Sequence, residues 1–309
     1  MTVSGIINVN IPENSFFDYK NNNINSYNNN LDALSLFFKM KNITELEKGF
    51  INSIEGEELV IDDDKYYGIY KVDPKLLNYT PIQSHNIVKP SPNEKNIFIN
   101  AMKHLKNNFP DGYKLVQEFV KIIIWVSLKE EYKGRDSQIT SSSFPSMPFG
   151  IFLSNKAEFH IPPNNIAENI SFRYLAENIF HEAIHQAVNM NILLNDILVN
   201  DYNSKNSPKI EIPWRHSQAK RNQYWEIDRT YHATVVYSQL IKYRFTQLND
   251  NSISKKEKEF FKEACYNGVE AALYLSDCLL KQKEFFTELG VNLIQELYDD
   301  IRQQELQLV

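Results

Sequence analysis

Ser171-Phe172-Arg173-Tyr174-Leu175-Ala176-Glu177-Asn178-Ile179-Phe180-His181-Glu182-Ala183-Ile184-His185-Gln186-Ala187-Val188 is the stretch on which the reading of this chain turns. Phe172, Leu175, Ala176, Ile179, Phe180, Ala183, Ile184, Ala187 and Val188 recur at the spacing of one helix face. Ser171 is placed to cap the N-terminus of that helix, which is expected over about 167–190. Within it, His181-Glu182-Ala183-Ile184-His185 has the form H-E-x-x-H. Positions i and i+4 of a helix lie one above the other, so two imidazoles spaced this way can share one metal ion. At about 100° per residue the histidines point away from the centre of the apolar stripe. The helix can then bury one face in a core and present the histidines to a cleft. Glu182 projects from the neighbouring strip, near enough to touch a metal-bound water without being a ligand. The plainer alternative is a pair of solvated surface histidines, and the ordered apolar stripe around them argues against it.

Outward from this helix, the sequence reads as mainly helical with a little sheet. Ser137–Ser143 and Gly150-Ile151-Phe152-Leu153 read as strands separated by a Pro-containing turn. Residues 222–247, 254–282 and 284–307 have helical periodicity and are expected to pack as antiparallel helices. On the N-terminal side, helices are expected over 31–50, 93–108 and 112–132. Short β-like runs occur at Leu59-Val60-Ile61 and Tyr67-Gly68-Ile69-Tyr70. The expected class is α+β, a mainly helical domain with a small sheet beside the metal-binding helix. A mostly helical N-terminal region with a few short strands would cover residues 1–130, and the metal-binding region 131–309, as two parts or one continuous domain.

Composition narrows the function classes. The 309 residues carry a net charge of −6 with opposite signs interspersed, which offers nucleic acid no electrostatic footprint. The longest apolar run, Ile122-Ile123-Ile124-Trp125-Val126, is too short to span a bilayer. The first residues lack a basic stretch followed by an apolar one, so no secretion signal is expected. The two cysteines, Cys265 and Cys278, lie in one predicted helix about 20 Å apart, too far for a disulfide. A reducing cytoplasm fits these features.

Two histidines leave a catalytic site incomplete, because such sites usually take three protein ligands and keep positions open. His85 lies in a Pro-rich loop, and His104 on a Lys-rich helix where solvation would explain it. His160 and His216 are candidates in loops or at strand ends, and Glu226 is the carboxylate rival. His232 is preferred. It lies on a predicted helix among apolar and aromatic residues, where a buried imidazole needs a partner. Asp228, one turn earlier, is placed to hold its ring.

Residues 139–240 resemble a known family, the H-E-x-x-H proteins encoded beside ribosomally made, post-translationally modified peptides. The resemblance is carried by Ser141-Ser142-Ser143, then Pro148-Phe149-Gly150-Ile151-Phe152-Leu153-Ser154, then His181-Glu182-Ala183-Ile184-His185-Gln186, then Pro213-Trp214-Arg215 and a helix with His232. It implies an iron(II)- and 2-oxoglutarate-dependent oxygenase that hydroxylates side-chain β-carbons of a precursor peptide, and not a protease. Such chemistry needs three facial protein ligands, two positions for the 2-oxoacid and one for O₂. The distal carboxylate of 2-oxoglutarate then needs a cation, and Arg meets it with two parallel hydrogen bonds. Arg215, Arg221 and Arg229 fall in the span leading to His232, with Arg215 the first choice and Arg229 the second. The alternatives are a zinc metallopeptidase with Glu182 as general base, and a non-catalytic, metal-stabilised peptide-binding module. The segment after His185 has neither the Gly and third His of one common zinc-peptidase extension nor a helical acidic ligand, which favours the oxygenase.

Overall fold

The computed structural model describes residues 55–71, 82–133, 138–144, 149–215 and 223–308. The expected helix over 31–50, together with His216 and Arg221, lies outside the described residues. The chain divides into two compact units with the break between Ala187 and Val188, and the expected division lay near residue 130. The described residues fall into an α+β unit, 55–187, and a mainly helical unit, 188–308.

The first unit is built on a mixed sheet of β1 (Glu55–Ile61), β2 (Asp64–Lys71), β3 (His85–Ile87), β4 (Ile122–Leu128), β5 (Ser141–Ser143) and β6 (Gly150–Leu153). Its order is β1-β2-β4-β6-β5, with β3 on the far end of β4. The pairs β2–β4 and β4–β6 are parallel, while β1–β2, β3–β4 and β5–β6 are antiparallel. The β1–β2 hairpin turns over Asp62 and Asp63, with Asp62 in the left-handed region at φ 54°, which a short polar side chain tolerates.

Two helices precede β4. Helix α1 (Pro92–Asn108) starts with a reciprocal cap, in which the Ser91 hydroxyl accepts from Glu94 N and the Glu94 carboxylate accepts from Ser91 N. Helix α2 (Pro110–Phe119) follows directly. The expected helix over 112–132 is corrected here. It ends at Phe119, Val120 is already extended, and residues 122–128 form the central strand β4. The physical reason lies in Ile122-Ile123-Ile124-Trp125-Val126, which is buried throughout. β-branched residues are stiff in a helix and pack well on a pleated surface, and a parallel strand covered on both faces reads as a continuous apolar run. Phe98 of α1 packs edge-on against Trp125 at 5.6 Å between centroids.

Helix α3 (Phe172–Leu194) begins in the first unit and runs past its end. Leu175, Ala176, Ile179, Phe180, Ala183, Ile184 and Ala187 are buried as the stripe required. Phe109 meets Phe180 edge to face at 5.1 Å.

The second unit holds α4 (Ile227–Leu248), α5 (Lys255–Leu280) and α6 (Glu288–Leu306), with the short pair β9 (Ile210–Glu211) and β10 (Tyr224–Trp225) beside them. Two further two-residue strands, β7 (His160–Ile161) and β8 (Asn165–Ile166), belong to the first unit. Helices α4 and α5 run antiparallel. Arg244 Nη1, near the end of α4, donates to Ala264 O near the start of α5, and Ile241 faces Gly268 further along. Helix α6 packs against both, with Lys242 Nζ 2.9 Å from Asp300 Oδ2 in a largely buried pair. Cys265 and Cys278 are free thiols on α5. No helix among the described residues is long and apolar enough to cross a membrane.

Ile123 is fully buried at the centre of β4, between two parallel neighbours. Ile123→Ala is expected to cost about 2–5 kcal/mol of unfolding free energy by urea titration, as buried Ile truncations do. A loss below about 0.5 kcal/mol, the scale of surface substitutions, would remove this strand from the core.

Candidate metal centre

Helix α3 carries two polar rows side by side. The first is Asn178, Glu182 and Gln186 at i, i+4 and i+8, all buried. The second is His181 and His185, both half-buried. The first row ties the helix to the sheet and its loops. Asn178 Nδ2 donates to Ala157 O, His160 O and Tyr174 O at 2.8–3.0 Å. Gln186 Nε2 donates to Gly150 O at 3.1 Å. Glu182 accepts from the Ser141 hydroxyl on one oxygen and the Ser143 hydroxyl on the other, each at 2.6 Å.

The second row forms the candidate site. His181 Nε2 and His185 Nε2 face each other at 2.8 Å. A neutral imidazole has one lone-pair nitrogen, and two such lone pairs brought together need a proton or a cation between them. On the far side of the His181 ring, Nδ1 lies 3.2 Å from Glu182 Oε1, close enough for strong attraction but off the line of a hydrogen bond. The three residues together offer donor atoms within 4.8 Å of one another, the one group of metal-binding character among the described residues. Because the Glu182 oxygen sits beside Nδ1 while the histidines converge through Nε2, an ion held between the two Nε2 atoms would have Glu182 behind a ligand.

Glu182 is 2% exposed. Burial pushes its carboxyl upward, and the neighbouring His181 with the Ser141 and Ser143 hydroxyls more than reverses this, leaving it below the usual carboxylate range. The group is therefore an anion whose two oxygens already accept short hydrogen bonds.

The other sequence candidates have identifiable surroundings. His160 has Nδ1 at 2.8 Å from Thr140 Oγ1 and Nε2 at 3.2 Å from Asn164 Oδ1, so both nitrogens are engaged in holding a loop. His104 is buried, not solvated as its Lys-rich helix suggested. Its Nε2 lies 3.3 Å from Arg173 Nη1, and its ring meets Phe172. His85 is fully buried, with Nε2 accepting from Ile139 N and Nδ1 near Ser84 Oγ, and burial and Lys129 lower its pKa.

His232 is half-buried on α4, in the second unit. Asp228, expected to hold its ring, accepts a hydrogen bond from the Tyr202 hydroxyl at 2.7 Å. Glu226 is the N-cap residue of α4, with its carboxylate 3.3 Å from Lys209 Nζ. A backbone hydrogen bond and Lys209 hold that carboxyl below its usual range. Arg215 ends the 3-10 turn Pro213–Arg215. Its guanidinium lies 5.8 Å from the Trp225 ring centroid, and that of Arg229 lies 5.0 Å from the same ring. Burial lowers the Arg229 pKa, and nearby Arg215 adds to this.

Reasoning from the H-E-x-x-H pattern alone missed Ser141, Ser143, Asn178 and Gln186. The signal for the last two was the i, i+4, i+8 row of amides and carboxylate in an otherwise apolar helix. Asn178→Ala should strand the Ala157 and His160 carbonyls, which α-helical hydrogen bonds cannot replace. A loss of about 1–3 kcal/mol per stranded buried group is expected in thermal or urea unfolding. An unchanged melting curve would show that the row does not tie helix to loop.

Compared with models of protein families and with curated proteins, the chain matches none.

Proposed function

We propose that this chain is an iron(II)- and 2-oxoglutarate-dependent oxygenase that hydroxylates a side-chain β-carbon of a ribosomally made precursor peptide. The observation that carries the reading is the convergence of His181 Nε2 and His185 Nε2 at 2.8 Å, with Glu182 clamped behind His181. The donor set fits a divalent metal. Two imidazole nitrogens converge on one point, and a buried carboxylate stands where it can orient one of the rings. When bound, iron(II) with 2-oxoglutarate and O₂ supplies the oxidising power, one oxygen atom going to the substrate C–H and the other to the succinate formed with CO₂.

In this reading His181 and His185 bind the metal, and His232 is the third-ligand candidate that the sequence offers. Arg215, with Arg229 as its neighbour, is the candidate that the sequence offers for the distal carboxylate of 2-oxoglutarate. Two guanidinium groups beside a single buried indole support that role. The resemblance of residues 139–240 to peptide-modifying H-E-x-x-H proteins supplies the substrate class.

The zinc peptidase reading asks more of Glu182. A general base must present a free lone pair to the metal-bound water within hydrogen-bond reach. Here the carboxylate lies behind the His181 ring, beside Nδ1 and with a serine hydroxyl on each oxygen, while the two Nε2 atoms converge on the ring's other side. That arrangement favours the oxygenase over the hydrolase.

Protein purified without air is expected to bind iron(II) and to form succinate from 2-oxoglutarate. His181→Ala and His185→Ala should each abolish tight metal binding. His232→Ala retaining full metal content and activity would move the third ligand to Glu226 or His216. Metal-dependent peptide cleavage by the wild type, lost in Glu182→Gln, would overturn the oxygenase reading in favour of the zinc hydrolase.

Arg215→Lys should raise the 2-oxoglutarate concentration needed for half-maximal succinate formation by about tenfold or more, since hydrogen bonds to charged groups contribute about 1.5–3 kcal/mol each. Lys offers a point charge in place of a planar fork. Iron content should not change. If Arg215→Lys, Arg221→Lys and Arg229→Lys all titrate like the wild type, the carboxylate anchor lies elsewhere.

A further inference from the structure

Ser141 and Ser143 are two residues apart on β5, so their side chains leave the same face of the sheet while Ser142 points to the other. Among the described residues β5 ends the sheet order and pairs with β6 alone. Both hydroxyls reach Glu182 at 2.6 Å, one on each carboxylate oxygen. Two contacts on opposite oxygens fix the carboxylate plane as well as its position. One contact would leave it free to turn. With the plane fixed, Oε1 stands 3.2 Å from His181 Nδ1, off the line of a hydrogen bond, where its negative charge favours a proton on that nitrogen.

We propose that Ser141 and Ser143 are positioning residues that hold the Glu182 carboxylate against His181 Nδ1, keep the ring proton on Nδ1, and so present Nε2 as the lone-pair nitrogen for a divalent metal. The proposal rests on the metal-site reading above and extends it to the sheet edge, which acts on the metal through Glu182 and then His181. It also gives the two histidines different states before metal arrives. If His181 Nε2 is the acceptor, the 2.8 Å contact has His185 Nε2 donating its proton to it. His181 is then preset for the metal, and His185 must move its proton to Nδ1 when the metal binds.

The test uses the full chain, freed of metal and titrated with cobalt(II) alone in competition with a chelator. The Ser141→Ala/Ser143→Ala variant should bind cobalt(II) roughly 10–100-fold more weakly, the range found when groups that orient metal-bound histidines are removed. The Ser141→Thr/Ser143→Thr variant keeps both hydroxyls on a side chain suited to a strand, and should restore most of the affinity. A second readout separates positioning from simple loosening of the fold. Nitrogen NMR of metal-free protein with labelled histidine should show His181 as the Nδ1–H tautomer in the wild type and in the Thr pair. In the Ala pair and in Glu182→Gln it should show a mixture with Nε2–H. A purely structural role would lower the melting temperature and leave the tautomer alone. Should the Ala pair fail to fold, Ser143→Ala alone carries both measurements.

Equal cobalt affinity in wild type and Ala variants, or an unchanged His181 tautomer, overturns the proposal while the metal site stands. A wild type that binds no divalent metal removes the metal site itself and this proposal with it.

Discussion

A buried carboxylate organises the first unit. Removing an ion from water is expensive, so a buried charge persists only where hydrogen bonds and opposite charge replace the lost hydration. Glu182 is nearly inaccessible, and its replacements come from two places, the serines of β5 and the imidazole of His181. The requirement fixes how the helix meets the sheet. Rotating α3 by one residue would turn Glu182 by about 100° and leave its charge unanswered. The same rotation would bring a histidine into the apolar interior.

Asn178 and Gln186 extend this constraint one turn in each direction. Each uses its amide to hold backbone carbonyls of the sheet and its loops, at Ala157, His160 and Gly150. Such contacts contribute little net free energy when made and cost much when broken. They therefore set register more than stability. The apolar stripe of α3 holds the helix in place, and the polar row decides its angle about its own axis. The histidine row inherits its direction from that angle.

How much of this was legible in the sequence follows from which forces write short-range patterns. The α3 stripe and the H-E-x-x-H spacing are set within a few turns of one helix, so both could be read directly from residues 172–188. The helices at Pro92–Asn108 and Lys255–Leu280 match the expected spans 93–108 and 254–282, and in the structure each begins at a Ser cap with Glu three residues on. The strand at Ile122–Leu128 did not, because a short apolar run lacks the periodicity that separates strand from buried helix, and only its two parallel neighbours decide. His104 was misread for a related reason. Its Lys-rich helix describes the exposed side, whereas its own contacts are Arg173 and Phe172, some 70 positions later. The role of Ser141 and Ser143 depends on a partner about 40 residues away, and three consecutive serines in isolation suggest only a polar loop or edge.

The pairing of Arg215 and Arg229 on Trp225 gives the protein an optical property. The chain has three tryptophans, of which Trp125 lies inside the sheet of the first unit. The other two, Trp214 and Trp225, meet edge to face at 6.4 Å centroid separation, and the two cations lie near the second ring. Indole emission responds to nearby charge. An anion that draws either guanidinium off the ring changes the environment of one fluorophore directly and of its neighbour through it, against the steady background of the third. The native emission spectrum is therefore a label-free gauge of whether the two guanidinium groups stay beside that ring.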